Sequence, residues 1–163
     1  MPAGSTYTPI ATTTLGSATN SVEFTSIAGT WTDLVFIANF ANTSNTDLYF
    51  RVNGSTTGYS ATQVYGNGSS AGSTRFSNTN TWVLDPAGGG LGTGQANLIL
   101  NIQNYSNTTT YKTSLARTNA AGVITGAVVG LWRNTSAITS VRCYADQNFV
   151  SGSTFTLYGI ASA

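Results

Sequence analysis

The sequence contains very few of the side chains that carry enzyme chemistry. Among 163 residues there is no histidine, and there is one cysteine, Cys143, and one lysine, Lys112. Histidine is the usual general acid or base near neutral pH, and cysteine and lysine are common covalent nucleophiles. We therefore predict a protein without catalytic residues, metal ligands or a cofactor. A single cysteine also excludes an internal disulfide.

Charged side chains are scarce as well. Six are basic and five are acidic, which is 7% of the chain, whereas ordinary domains carry roughly 25%. Nucleic-acid backbones and anionic membranes attract concentrated lysine and arginine. A formal net charge of +1 offers no such concentration, so we expect neither a nucleic acid nor a membrane partner. Protein surfaces and neutral sugars are the partners that this composition favours.

Two segments bear on targeting. The longest apolar stretch, Gly122 to Trp132, has about half of the ~20 residues that a membrane-spanning helix needs. The first residues, MPAGSTYTPI, lack the basic and apolar regions of a signal peptide. The sequence thus predicts synthesis in a cytoplasm, with no transmembrane segment and no export by the general secretory route.

Small polar residues dominate the chain, with 28 threonines, 18 serines, 18 glycines and 15 asparagines. These residues are middling to poor helix formers, whereas threonine, valine, isoleucine and the aromatics favour pleated strands. The chain is therefore predicted to be all-β. The predicted strands are Ser21 to Phe24, Asp33 to Phe40, Leu48 to Val52, Thr62 to Tyr65, Thr81 to Leu84, Asn97 to Asn104, Lys112 to Thr118, Val123 to Trp132, Ile138 to Tyr144 and Ser153 to Ile160.

Apolar and polar side chains alternate in several of these strands. Leu48, Phe50 and Val52, for example, alternate with Tyr49 and Arg51, a pattern that buries one face of a strand and exposes the other. About ten strands in two antiparallel sheets fit a jelly roll, which has eight core strands plus extensions. An immunoglobulin-like sandwich, with 7 to 9 strands, fits less well.

The chain is predicted to have two parts. Residues 1–20 contain only Ile10 and Leu15 as large aliphatic side chains, and a short polar terminal segment of this kind is ordered only when something holds it. We expect an extended N-terminal arm that lies on another chain and contacts it through Tyr7, Ile10 and Leu15. Residues 21–163 are the predicted jelly-roll β-sandwich.

Three local patterns have functional alternatives. The segment Gly68 to Gly72 matches the G-x-S-x-G pattern of esterases, but that chemistry needs the histidine that this chain lacks. The segment Gly88 to Gly94 does not lead from a strand into a helix with a lysine, so it is a flexible loop and not a phosphate loop. Asp47, Asp85 and Asp146 are predicted to be turn residues, with a calcium site of loop oxygens as the lesser alternative for the five scattered acidic residues. They are Glu23, Asp33, Asp47, Asp85 and Asp146.

The three tryptophans and eight tyrosines allow two interpretations. The rings either stack on sugars, as in a receptor-binding lectin, or form the sandwich core and a subunit interface. The second interpretation is favoured, because arginines accompany aromatic residues on two predicted strands and a planar guanidinium suits a buried interface. The predicted interface residues in these strands are Trp132, Arg133, Arg142 and Tyr144.

Strand and turn residues recur in four stretches between Phe24 and Ile160, namely FTSIAGTWTDLVFIANF, NIQNYSNTTTYKT, VVGLWRNTSAITSV and NFVSGSTFTLYGI. These stretches resemble a family of small virion proteins of tailed bacteriophages, particularly cyanophages. The resemblance implies a jelly-roll or related β-sandwich that forms trimers. It also implies a place in the virion, either as a capsid decoration (cement) protein or in a tail fibre or other appendage.

We expect the capsid, because 163 residues accommodate a short arm and one sandwich but no long fibre shaft. The predicted function is that of a non-enzymatic decoration protein on the outer capsid surface. It forms a homotrimer, binds the major capsid protein and bridges capsomers. The alternatives are a tail fibre or appendage subunit and a receptor-binding module that recognises host surface glycans.

Overall fold

A computed structural model describes residues 6–86 and 89–161 of the chain, and residues 1–5, 87–88 and 162–163 lie outside the described residues. The described part contains twelve β-strands and no α-helix. The strands are β1 Tyr7–Thr14, β2 Thr19–Phe24, β3 Asp33–Phe40, β4 Leu48–Val52, β5 Tyr59–Gly66, β6 Ala71–Thr79, β7 Trp82–Val83, β8 Ala96–Ile102, β9 Lys112–Ala120, β10 Ile124–Trp132, β11 Val141–Phe149 and β12 Thr154–Ile160.

The strands form two antiparallel sheets that pack face to face. The larger sheet has eight strands in the order β1-β12-β3-β8-β9-β10-β5-β6, and the smaller has four in the order β2-β11-β4-β7. This all-β, jelly-roll-like sandwich confirms the predicted fold class. Within residues 6–86 and 89–161 there is no helix with the length and hydropathy of a membrane span.

Aromatic side chains join the two sheets. Among the described residues, five ring pairs have one partner on each sheet, and all eight rings are buried. Aromatic pairs of this kind contribute about 0.5–1.5 kcal/mol beyond the area that they bury. The pairs are Phe36 with Phe50 at 5.1 Å between ring centroids, Phe149 with Phe155 at 5.1 Å, Phe40 with Phe149 at 5.3 Å, Tyr59 with Trp82 at 5.5 Å, and Phe24 with Phe36 at 6.1 Å.

Each of the ten predicted strands overlaps an observed one, and two observed strands, β1 and β6, fall outside the predictions. Strand β6 pairs with β5 at the edge of the larger sheet. Phe76 is its only large apolar side chain, and the rest of the strand is small or polar. An edge strand is held mainly by main-chain hydrogen bonds on one side, so its sequence need not show a buried apolar face.

The predicted N-terminal arm belongs to the sandwich in the described residues. From Tyr7 on, the segment is β1 and pairs antiparallel with β12, while its residues 1–5 lie outside the described range. Leu15 is buried in the core, and its amide donates to the Ser153 carbonyl at 2.9 Å. The edge of β12 supplies the hydrogen bonds that the segment needs. The predicted boundary between residues 20 and 21 therefore falls inside β2.

Two inward-facing glycines of β10 let another segment cover the larger sheet. A Cβ on Gly126 would lie 2.8 Å from Pro86 Cγ. A Cβ on Gly130 would lie 2.4 Å from Ser114 Oγ and 2.7 Å from Trp82 Nε1. The edge of the four-stranded sheet at β7, together with Pro86 beyond it, therefore packs directly over β10.

The change Gly130→Ala is expected to lower the free energy of unfolding by about 1–3 kcal/mol, because the added methyl overlaps two buried side chains. The matched control is Gly16→Ala, where no atom lies within 4 Å of the added Cβ, and it should change stability by less than about 0.5 kcal/mol. Urea denaturation followed by tryptophan fluorescence measures both. Equal stability of the two variants would contradict this packing.

Candidate functional site

The outer face of the eight-stranded sheet carries exposed aliphatic side chains in the middle of its strands. Val129 of β10 lies directly opposite Leu115 of β9, and Val64 of β5 lies diagonally next to Val129. Leu115 is 53% exposed, Val129 is 56% exposed and Val64 is 58% exposed. Adjacent exposed aliphatic side chains on one face are typical of a protein contact surface. These three residues are called the aliphatic band below.

A depression of about 450 Å³ lies between the aliphatic band and the β1 edge. Tyr7 and Val35 line one side of it, and Leu115 and Val129 line the other. The ring of Tyr7 contacts that of Tyr158 edge to face, at 6.3 Å between centroids. Between these two apolar sides lies Asn101 of β8, directly opposite both Val35 and Leu115, so the depression combines apolar walls with a polar middle.

A polar row crosses five consecutive strands on the same face. Asn97 Nδ2 donates to Asn39 Oδ1 at 2.6 Å, and the Asn97 amide donates to Asn119 Oδ1 at 3.2 Å. Amide side chains in such a row offer both donors and acceptors to the hydroxyl groups of a ligand. The asparagine row consists of Thr154, Asn39, Asn97, Asn119 and Thr125, which lie opposite one another in register.

The outer face of the four-stranded sheet collects much of the charge of the chain. Five of the eleven charged residues lie on its strands or directly beside them. Arg51 and Arg142 form a basic row with Glu23 beside it, Asp47 and Asp146 form an acidic row, and the row of Tyr49 and Tyr144 lies between the two. This surface is called the Tyr–Arg face below. Its charged members are Glu23, Asp47, Arg51, Arg142 and Asp146.

The basic row surrounds Tyr144. Arg142 of β11 lies opposite Arg51 of β4 on one side and opposite Glu23 of β2 on the other. Both guanidinium groups lie over the Tyr144 ring, at 5.0 Å for Arg51 and 5.1 Å for Arg142. Arg51 Nη2 also donates to the Tyr144 hydroxyl at 2.8 Å. Cation–π contacts and this hydrogen bond hold Tyr144 in place.

The acidic row surrounds Tyr49. The Tyr49 ring lies 5.1 Å from the Tyr144 ring, and its hydroxyl is 3.0 Å from Asp146 Oδ2 and 3.2 Å from Asp47 Oδ2. Burial raises the pKa of the Tyr49 phenol well above its ordinary value, and the hydrogen bond to Asp146 and the charge of Asp47 act in the same direction. Tyr49 therefore remains a protonated donor between two carboxylates.

Several predicted contact residues lie at the surface. Arg142 and Tyr144 come together on the Tyr–Arg face, as just described. Tyr7 is 54% exposed on β1. Arg133 is exposed directly after β10, where its amide donates to the Gly58 carbonyl at 2.9 Å, and it lies apart from the Tyr–Arg face.

The other predicted contact residues belong to the core of this chain. Trp132 is 1% exposed, its ring lies 6.0 Å from that of Tyr59, and its Nε1 donates to the Thr57 carbonyl at 3.2 Å. Trp132 ends β10 on its inward-facing side, so the prediction that it contacts another subunit is corrected. Leu15 is also buried, and Ile10 is half-buried and packs against the core.

Sequence analysis did not single out Tyr49, Arg51, Leu115 or Val129 as functional residues. The alternation in residues 48–52 does place Tyr49 and Arg51 on an exposed face, so that signal was available. For the aliphatic band the signal was partial, because the continuous apolar run Val128 to Trp132 indicates a strand covered on both sides or one that feeds a subunit interface, whereas Leu115 stands alone. An apolar residue at an outward strand position looks the same in sequence as one that packs inside.

The local motifs have structural roles. Asn67 Oδ1 accepts from the amides of Ser69 and Ser70 at 3.1 and 2.8 Å, so the esterase-like segment is a polar turn between β5 and β6. Gly88 of the predicted flexible loop lies outside the described residues. Farther along that loop, Leu91 is fully buried and its amide donates to the Thr46 carbonyl at 3.0 Å. In the part of the chain that the structure describes, no three His, Cys, Asp or Glu side chains converge as a metal site.

No family model matches the chain, and no characterised protein matches it by sequence. Among solved structures it is similar to an exo-inulinase of Aspergillus awamori, with a TM-score of 0.45 and 15% identity over 94% of this chain, and it spans 29% of the inulinase. It is also similar to galectin LEC-6 of Caenorhabditis elegans, with a TM-score of 0.38 and 6% identity over 93% of this chain and 96% of the galectin. The alginate lyase Aly36B has a TM-score of 0.32 and 9% identity over 91% of this chain and 78% of the lyase. At these identities the similarity is one of fold.

A buried carboxylate supports the acidic end of the Tyr–Arg face from inside. Asp85 is fully buried, and it accepts hydrogen bonds from the Leu48 amide at 3.0 Å and the Gly90 amide at 3.3 Å. Burial raises the pKa of Asp85 to about 6, although the hydrogen bond from Leu48 offsets part of the increase. Asp85 thereby ties the start of β4 to the loop that follows β7.

The raised pKa of Asp85 predicts a pH-dependent stability. Its carboxyl holds a proton in the folded state at pH values where the unfolded chain has lost it, so its contribution to stability falls as pH rises from about 4 to about 6. The loss should amount to about 2–3 kcal/mol. Asp85→Asn should remove this dependence, whereas Glu23→Gln, at an exposed carboxylate, should retain it. Urea denaturation between pH 4 and 7 tests this, and parallel curves for Asp85→Asn and the unmodified chain would contradict it.

Proposed function

We propose that this chain is a non-enzymatic structural protein of a phage virion, a decoration protein that binds the outer capsid surface and bridges capsomers. The observation that carries the proposal is the aliphatic band, in which Leu115 and Val129 are adjacent and more than half exposed. Apolar surface contributes about 25 cal/mol per Å² when another protein removes it from water. A rigid sheet face that presents such side chains is suited to lasting contact with protein.

The aliphatic band is proposed to join copies of the chain into a homotrimer, in keeping with the resemblance to phage virion proteins. The major capsid protein is the proposed partner of the remaining surface, which is rich in uncharged threonine, asparagine and serine. Hydrogen bonds from such side chains depend little on salt, because screening acts on charge. Three linked copies also bind a shell more tightly than one copy does.

A second candidate function is the binding of host surface glycans by a tail appendage, and the asparagine row favours it. Asn39, Asn97, Asn119 and Arg117 line a depression of about 350 Å³ that also includes Ile37. Binding sites for small molecules combine an apolar lining with a few convergent polar groups. A sugar presents hydroxyl groups to such donors and acceptors and an apolar ring face to an aliphatic side chain.

The change Leu115→Glu should reduce the trimer to smaller species and lower the occupancy of the shell by more than about tenfold, because it places a charge in the apolar contact. The matched control is Ser17→Glu, which adds the same charge at an exposed bend between β1 and β2. Light scattering measures the mass, and binding to particles assembled without this chain measures occupancy. Trimers and full occupancy with Leu115→Glu would contradict the proposal.

Asn97→Ala separates the two candidate functions. For a decoration protein we expect no glycan to be retained on an array, and we expect Asn97→Ala to bind particles within about twofold of the unmodified chain, because the proposed capsid contact is spread over many polar side chains and most single contact residues contribute little. If a glycan is bound and Asn97→Ala abolishes that binding, the appendage function replaces the decoration function.

A further inference from the structure

The charge pattern of the Tyr–Arg face is complementary to itself. We propose that this face is a contact by which two copies of the chain pair about a two-fold axis. The contact goes beyond the proposed attachment to the capsid, and it uses the sheet opposite the aliphatic band.

The basic row is unfavourable within a single chain. Arg51 and Arg142 lie directly opposite each other on neighbouring strands, and like charges in that position destabilise a sheet. Their guanidinium groups share the Tyr144 ring, so the two charges lie close together at the surface. Glu23 lies beside Arg142 on β2 and offsets one of the two charges. The row therefore retains positive charge for carboxylates from outside the chain.

The acidic row has an excess of negative charge and of hydrogen-bond acceptors. Asp47 and Asp146 both place an oxygen within 3.2 Å of the Tyr49 hydroxyl. A phenol has one proton and donates it to one carboxylate at a time, whereas each carboxylate accepts several hydrogen bonds. The acidic row therefore has more acceptor capacity than Tyr49 supplies, and arginine side chains of a second chain fit that need.

The two rows have a defined spacing. Along β11, Arg142 and Asp146 are four residues apart with Tyr144 midway, and a strand rises about 3.4 Å per residue, so the Cα atoms of the two rows are about 14 Å apart. On β4 the chain runs in the opposite direction, from Asp47 next to the strand to Arg51 within it. The same charges of the two strands consequently lie at the same ends of the face.

Only one orientation of a two-fold axis in the plane of the face brings opposite charges together. An axis along the tyrosine row places Arg142 of one copy on Asp146 of the second and Arg51 on Asp47, with the tyrosines meeting at the centre. An axis parallel to the strands would place the basic row on the basic row. The pattern thus selects one isologous arrangement. If trimers form through the other sheet, this contact links neighbouring trimers.

The first test is the mass of the purified full chain, measured by sedimentation velocity and light scattering. Both the unmodified chain and the Leu115→Glu variant are used, so that pairing through the Tyr–Arg face is separated from assembly through the aliphatic band. We expect Leu115→Glu to form pairs whose dissociation constant rises at least about tenfold between about 50 and 500 mM NaCl. A Leu115→Glu chain that stays monomeric at low salt overturns the inference. That outcome would not contradict the decoration function, because binding to the capsid shell is measured separately.

The second test reverses single charges on β11. Arg142→Glu and Asp146→Arg should each weaken pairing at least about tenfold, because each brings like charges together twice in a two-fold contact. The matched control is Arg133→Glu, which reverses an exposed arginine outside the Tyr–Arg face and should change pairing by less than about twofold. If Arg142→Glu and Asp146→Arg both pair as tightly as the unmodified chain, the inference is overturned.

Mixing the two charge-reversed variants gives the sharpest result. In a mixed pair the glutamate introduced into one chain meets the arginine introduced into the other, and the native contact of Arg142 with Asp146 remains on the other side of the axis. Pairing should return to within about threefold of that of the unmodified chain. If the mixture pairs as weakly as either variant alone, the inference is overturned. Circular dichroism checks the fold of each variant, and the double variant R142E/D146R provides the same test in one chain if a single variant does not fold.

Discussion

The packing of aromatic rings between the two sheets is the interaction on which the rest of the molecule depends. Pairs such as Phe36 with Phe50 and Phe149 with Phe155 cross from one sheet to the other and fix which side of each strand is buried. Because side chains alternate along a strand, a slip of one residue would turn every outward row inward. The aliphatic band, the asparagine row and the Tyr–Arg face exist as rows because this core holds the register.

The scarcity of charge makes the position of each charged residue informative. Lys112, the single lysine, is 1% exposed, and its ammonium group donates to the carbonyls of Asn107, Thr110 and Thr135. It closes a loop and is not part of a surface site. Asp85 likewise serves the interior. The charges on the Tyr–Arg face, by contrast, lie at the surface of a chain that places few charges anywhere.

Much of the fold could be predicted from the sequence, because threonine-rich alternation identifies strands and turn residues separate them. β3 and β4 have the predicted bounds. β1 and β6 were not predicted, because these edge strands are held by main-chain hydrogen bonds, which leave little trace in side-chain patterns. Trp132 was predicted at a subunit interface but lies in the core, because an aromatic residue at a strand end is equally compatible with both positions. The pairing of Arg51 with Arg142 depends on which strands become neighbours, and no local pattern specifies that.

A cryo-electron microscopy map of the intact particle would show whether this chain works by protein contact through its sheet faces. We expect the chain on the outer shell, in multiple copies around each capsomer, with Leu115 and Val129 covered by a neighbouring protein. A map with the chain only at the tail, or on the shell with the aliphatic band facing solvent, would contradict it.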